Sequence, residues 1–196
     1  RDWCGMMALN KLLEKGQECG VFIIMPICEL DKSHTDIAKT EVIDFDETKR
    51  KIIGSQNQGV LGFNEPKSCD ALKIIPTKNI VDFIELKGFA KFKEYSKITS
   101  NDKTIIESKI QGFGLDKKIM DSYWLFDNVL RITQLELSKL EKNEITRSHM
   151  KYIVLVDLEI EKNPRQNLAA TLQFRSQYAP TGPKDEEPID RVILKV

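Results

Sequence analysis

The stretch that most constrains this chain runs from Cys69 to Gly88, CDALKIIPTKNIVDFIELKG. Two apolar runs, Cys69 to Ile75 and Ile80 to Lys87, are separated by Pro76-Thr77-Lys78-Asn79. Apolar runs rich in branched residues, split by a Pro- and Asn-containing turn, predict a β-hairpin. A hairpin closed by those four residues pairs Ile75 with Ile80. Leu72 then faces Phe83, Ile74 faces Val81, and Asp70 lies opposite Glu85. Lys73 falls opposite Asp82, a favourable opposite-charge pair that played no part in choosing the register. A slip of one residue would send the acids to opposite faces.

In this register Asp70, Glu85 and Lys87 share one face, because alternate side chains of a strand point the same way. Opposed Cβ atoms in such a ladder lie about 4.5–5.5 Å apart. Two carboxylates that close repel unless a cation sits between them. Magnesium accepts carboxylate oxygens together with water and substrate phosphate. A lysine beside such an ion can orient or deprotonate an attacking water, or stabilise charge building on a phosphate. The plainer alternative is an ordinary hairpin in which Asp70 and Lys87 make salt bridges at strand ends. Glu85 fits that alternative poorly. It stands between Ile84 and Leu86 in an apolar strand, and a buried carboxylate needs a partner.

An Asp, a hairpin turn, then Glu85-Leu86-Lys87 on the next strand resembles the signature of the PD-(D/E)XK nuclease superfamily. Cys69 stands where that family often has Pro. The resemblance implies a restriction-endonuclease-like α/β core, a central mixed β-sheet flanked by helices in the order αβββαβ, over about residues 44–160. It implies a Mg2+- or Mn2+-dependent nuclease hydrolysing phosphodiester bonds, with DNA a better expectation than RNA, in settings such as restriction or anti-phage defence. Asp70, Glu85 and the backbone carbonyl of Leu86 would hold the metal, and Lys87 would act on the water or phosphate. The family often adds an acid from its first helix, and Glu47 is the candidate, with Glu14 and Glu18 as alternatives. Many such nucleases cut as dimers, so a homodimer or a larger effector complex is expected. The other reading is a catalytically inactive module of the same fold that binds nucleic acid or a protein.

The flanking sequence fits an α/β core. Residues 3–15 and 115–130 carry apolar residues at helical spacing. Asp44 or Asp46 is placed to cap a short helix reaching Ile53. Strands are expected at Val21 to Ile27, Gly59 to Phe63, Tyr152 to Leu158 and Val192 to Val196, and residues 102–140 read as mostly helical. Residues 179–190 read as a loop or tail. The whole chain, 1–196, is expected to form one domain; its start without Met also suits a piece of a larger protein. Thirty basic residues balance thirty acidic ones, so a nucleic-acid surface must come from local clusters. Lys91, Lys93 and Lys97 alternate with Phe89, Phe92 and Tyr95 after the hairpin and form one such candidate. Lys117 and Lys118 read as surface charges, and Tyr123 and Trp124 as core. Cys4, Cys19, Cys28 and Cys69 show no zinc spacing and suit a reducing cytoplasm. The longest apolar run, Val21 to Cys28, is too short to cross a membrane.

Overall fold

The computed structural model describes residues 2–30, 40–55, 66–88, 114–157 and 190–195. The first helix, α1, spans Asp2–Glu18 and buries Ala8, Leu9 and Leu12 along one stripe. The chain then folds back over it, with Phe22 N donating to Gly16 O at 2.8 Å. A Cβ at Gly16 would lie 2.2 Å from the Phe22 ring, so only glycine allows this packing. Phe22 is thereby drawn onto α1. Strand β1 is consequently limited to Ile24–Pro26, shorter than the Val21–Ile27 strand expected. Pro26 lacks an N–H for further pairing, and a short helix α2, Ile27–Leu30, follows.

Strand β2, Glu41–Asp44, leads directly into helix α3, Phe45–Ser55. Asp44 is the cap, its Oδ1 accepting from Glu47 N at 2.8 Å. The first strand beside the hairpin therefore precedes this helix. The expectation placed the strand after it, at 59–63, a segment outside the described residues. Strand β3, Ala71–Ile75, and strand β4, Ile80–Gly88, form the expected hairpin around a short 3-10 turn, Pro76–Lys78. Its register is the one derived from sequence: Leu72 opposite Phe83, Lys73 opposite Asp82, Ile74 opposite Val81 and Ile75 opposite Ile80.

Helix α4, Leu115–Leu130, buries Leu115, Ile119, Ser122, Leu125, Phe126, Val129 and Leu130. The long helical stretch expected to Leu140 is broken. After a 3-10 turn at Thr133–Leu135, a separate helix α5, Lys139–Thr146, starts in a capping box. Ser138 Oγ accepts from Glu141 N at 3.2 Å, and Glu141 Oε2 accepts from Ser138 N at 2.7 Å. Strand β5, His149–Asp157, and strand β6, Asp190–Lys195, complete one six-stranded sheet in the order β1-β2-β3-β4-β5-β6. Strands β1 to β4 run antiparallel to their neighbours, and β4, β5 and β6 run parallel. The parallel step from β4 to β5 is the crossover that carries α4, as such steps require.

Each sheet face has its own core. Ile43, Leu72, Ile74, Val81, Phe83, Tyr152 and Val154 pack with α1, α4 and α5. There the rings of Phe45, Phe83 and Phe126 meet edge to face, at centroid distances of 6.1 and 5.6 Å. The opposite face joins Val42, Ala71, Ile84, Leu86, Ile153 and Leu155 to Ile27 of α2. The protein is thus α/β, a mixed sheet flanked by helices. Among the described residues no helix is long and apolar enough to cross a membrane.

Candidate functional site

Asp70 sits at a bend one residue before β3, and three elements hold it there. Its amide donates to Ile84 O on β4 at 3.1 Å, and its carbonyl accepts from Phe45 N on α3 at 3.1 Å. The residues before it are tied to the helices. Lys67 N donates to Asp121 Oδ2 at 2.8 Å, Cys69 N to Ser122 Oγ at 2.8 Å, and Ser68 Oγ to Asp46 Oδ1 at 2.8 Å. The Asp70 carboxylate accepts from Leu86 N at 2.6 Å. Strand β4 runs on past the start of β3, so Leu86 N has no ladder partner on that side. A backbone donor in this position needs an acceptor, and a charged one binds it strongly.

Glu85 lies on the helix-covered face, with relative exposure of 0%. Its Oε1 accepts from Lys118 Nζ at 2.6 Å, and its Oε2 accepts from Tyr152 OH at 3.2 Å. In the parallel register Glu85 pairs with Val154, so Tyr152 lies two residues back on the same face of β5. Lys118 descends from the first turn of α4, its side chain 18% exposed. Burial disfavours its charge. The Glu85 carboxylate, by charge and hydrogen bond, and then Asp70 outweigh that effect and raise its pKa above the ordinary lysine value. Asp70 and Glu85 thus both favour the charged form of one cation, which hydrogen-bonds to Glu85. The cation is a residue of the chain itself.

Lys118 is therefore not the surface charge expected from its place in a Lys-Lys pair. The signal was present in the spacing. Position 118 lies three residues after Leu115 and four before Ser122, on the stripe that packs against the sheet. Trp124 departs in the other direction: expected in the core, it is 51% exposed. Tyr123 is partly buried against the core, as expected. Cys69 is fully buried beside the site, and burial pushes its thiol pKa well up.

Lys87 is placed by its backbone in β4, two residues past Glu85 and opposite Val156; its side chain lies outside the described residues. Lys91, Lys93 and Lys97 also lie outside them. Glu47 does not join the acids. Its carboxylate pairs with Arg50 at 2.9 Å within α3, which follows β2 rather than leading the strands. Glu18 pairs with Lys15 at 2.8 Å. Among the described residues no group of three or more His, Cys, Asp or Glu side chains is placed to hold a metal. Two carboxylates and a backbone carbonyl are hard oxygen donors of the kind Mg2+ accepts. In this structure the cation at Glu85 Oε1 is the Lys118 ammonium. Comparison with protein families, with curated proteins and with solved structures finds no match.

Proposed function

We propose that this protein is a metal-dependent nuclease of the PD-(D/E)XK type, with DNA the more expected substrate than RNA. The observation that carries the reading is the hairpin. The carboxylates of Asp70, one residue before β3, and Glu85, on β4, both favour the charged Lys118, and Lys87 follows two residues along β4. The order strand, strand, helix, strand through β3, β4, α4 and β5 resembles the second half of that superfamily's core. Asp70, Glu85 and the Leu86 carbonyl would hold Mg2+ or Mn2+, which when bound lowers the pKa of a water and offsets charge on the scissile phosphate. Lys87 would orient or deprotonate the attacking water, or hold the phosphate. Asp70 is set for its role by the Leu86 amide, and Glu85 by Tyr152. Restriction or anti-phage defence in the cytoplasm, as a homodimer or within a larger effector, suits such an activity.

The test is cleavage of plasmid, linear DNA and RNA with Mg2+ or Mn2+, for the wild type, Lys87→Ala and Asp70→Ala. The reading expects divalent-dependent cleavage that both substitutions abolish. No cleavage, or unchanged cleavage in Lys87→Ala, sinks it. A second reading has its own observation: both oxygens of Glu85 are hydrogen-bonded inside the protein. On that reading the fold is a non-catalytic module binding nucleic acid or a protein, and the acids are structural. Nucleic-acid binding without cleavage, unaffected by Asp70→Ala, supports it.

A further inference from the structure

At the other end of β4, five residues from Glu85, a cleft of about 530 Å³ opens between α1, the hairpin turn and the start of β5. Five residues of strand span roughly 17 Å, so this cleft is distinct from the Asp70–Glu85 site. Its construction centres on Asn79. Asn79 adopts a left-handed conformation, φ 52°, at the end of the hairpin turn. Its carbonyl accepts from His149 N at 2.9 Å, and its Oδ1 accepts from Ser148 Oγ at 2.9 Å. Helix α1 presses on the same side chain: a Cβ at Gly5 would fall 2.6 Å from Asn79 Oδ1. Three elements are thus fixed against one another, and the cleft between them is formed in advance.

The lining chemistry is one-sided. Among the described residues that line the cleft, Lys78, Arg147 and His149 are basic and none is acidic, with Asp82 within electrostatic reach of Lys78 and His149, in a chain whose charges balance overall. Arg147 pairs with Glu144 at 3.3 Å, an exposed pair of the kind that contributes little and exchanges readily. Trp3 borders the same cleft and is 70% exposed. Tryptophan is a residue that folding ordinarily buries, and an exposed indole offers a face for a flat ring. The volume falls inside the roughly 300–1,000 Å³ typical of small-molecule sites.

We propose that this cleft binds a nucleoside phosphate, its base stacked on Trp3 and its phosphates held by Lys78, Arg147 and His149. The inference does not depend on the nuclease reading, since it shares no residue with that site.

The test is calorimetric titration of the chain with ADP, beside pyrophosphate and adenosine as separate probes. ADP is expected to bind saturably and more tightly than either half. Trp3→Ala should weaken ADP by about 5-fold or more, the stacking contribution of one base. Lys78→Ala with Arg147→Ala should weaken it by about 10-fold or more, from lost charge-assisted hydrogen bonds. Asp70→Ala should leave it unchanged. Lys78→Glu should weaken ADP at least as much as loss of the Lys78 charge alone, and a cooperative urea transition confirms that each variant folds. In a Trp124→Phe background, quenching on ADP addition reports on Trp3 alone. Three results overturn the proposal: no saturation at low-millimolar ADP, pyrophosphate binding as tightly as ADP with Trp3→Ala unaffected, or binding insensitive to the loss of Lys78 and Arg147.

Discussion

Replacing Lys118 by Met removes the ammonium from Glu85 and keeps a side chain of similar length in the packed stripe of α4. What remains is a carboxylate with 0% exposure whose described partner is the Tyr152 hydroxyl at 3.2 Å. Breaking a buried ion pair from one side typically costs about 3–5 kcal/mol, because the surviving charge is stranded. Lys118 is 18% exposed, so some solvent reaches the pair and the cost should lie near the lower end, about 3 kcal/mol at pH 7. Urea unfolding of both proteins reads the difference from the midpoints. Adding Glu85→Gln to Lys118→Met should recover most of the loss at pH 7, giving a large coupling energy in the double-mutant cycle. A cost under about 1 kcal/mol at pH 7 would refute the view that Lys118 neutralises a buried carboxylate.

Further outcomes follow from neighbouring groups. Millimolar Mg2+ or Mn2+ should raise the unfolding midpoint of Lys118→Met more than that of the wild type, since the ion then meets no competing ammonium and stabilises by mass action; equal shifts would count against a metal at Asp70 and Glu85. Asp70→Ala strands the Leu86 amide, now bonded at 2.6 Å, and should cost about 1–3 kcal/mol, whereas Asp70→Asn keeps an acceptor and should cost less. Asp82 has an unpartnered buried Oδ1, and burial raises its pKa despite Lys151 and Lys73 nearby. A raised folded-state pKa means that folding favours the protonated form, so the ionised carboxylate weakens the fold above that pKa and the penalty fades as pH falls through it. Asp82→Asn should therefore stabilise the protein at pH 7, by roughly 1 kcal/mol, and lose its advantage in acid; a destabilised variant at pH 7 would contradict this. Ser138→Ala removes the cap of α5 and should cost about 1 kcal/mol in the same assay.

The hairpin register could be read from the chain because two constraints coincide there. A turn of fixed length sets the pairing, and alternation of apolar residues penalises any slip. The cap at Asp44 and the buried stripe of α4 were readable for a similar reason, since both depend on spacing within one element. Strand β2 was missed: only Val42 and Ile43 are apolar, between Glu41 and Asp44, and its pairing with Leu72 and Ala71 is non-local. With β2 unreadable, the sequence puts the helix that Asp44 caps ahead of the strands and Glu47 among the ligands, whereas that helix follows β2. Lys118 was missed because lysine is almost always solvated, a rule that holds until a buried acid faces it. Glu85 had already announced the need for a partner; sequence alone did not say that the partner lay 33 residues on, in α4.

The ion pair changes what the two carboxylates mean. Asp70 and Glu85 without a cation would repel each other in a buried setting, and a hairpin end carrying both would be strained. Lys118 removes that problem, so the hairpin can be stable with no metal present. An ion drawn to Glu85 meets the Lys118 ammonium at Oε1 and can take its place by exchange. Lys118 is partly exposed and projects from the first turn of α4 on a flexible stem. A nuclease and a retired relative built on this fold would differ in how readily that exchange occurs, and a shift in metal-dependent stability between wild type and Lys118→Met measures that difference directly.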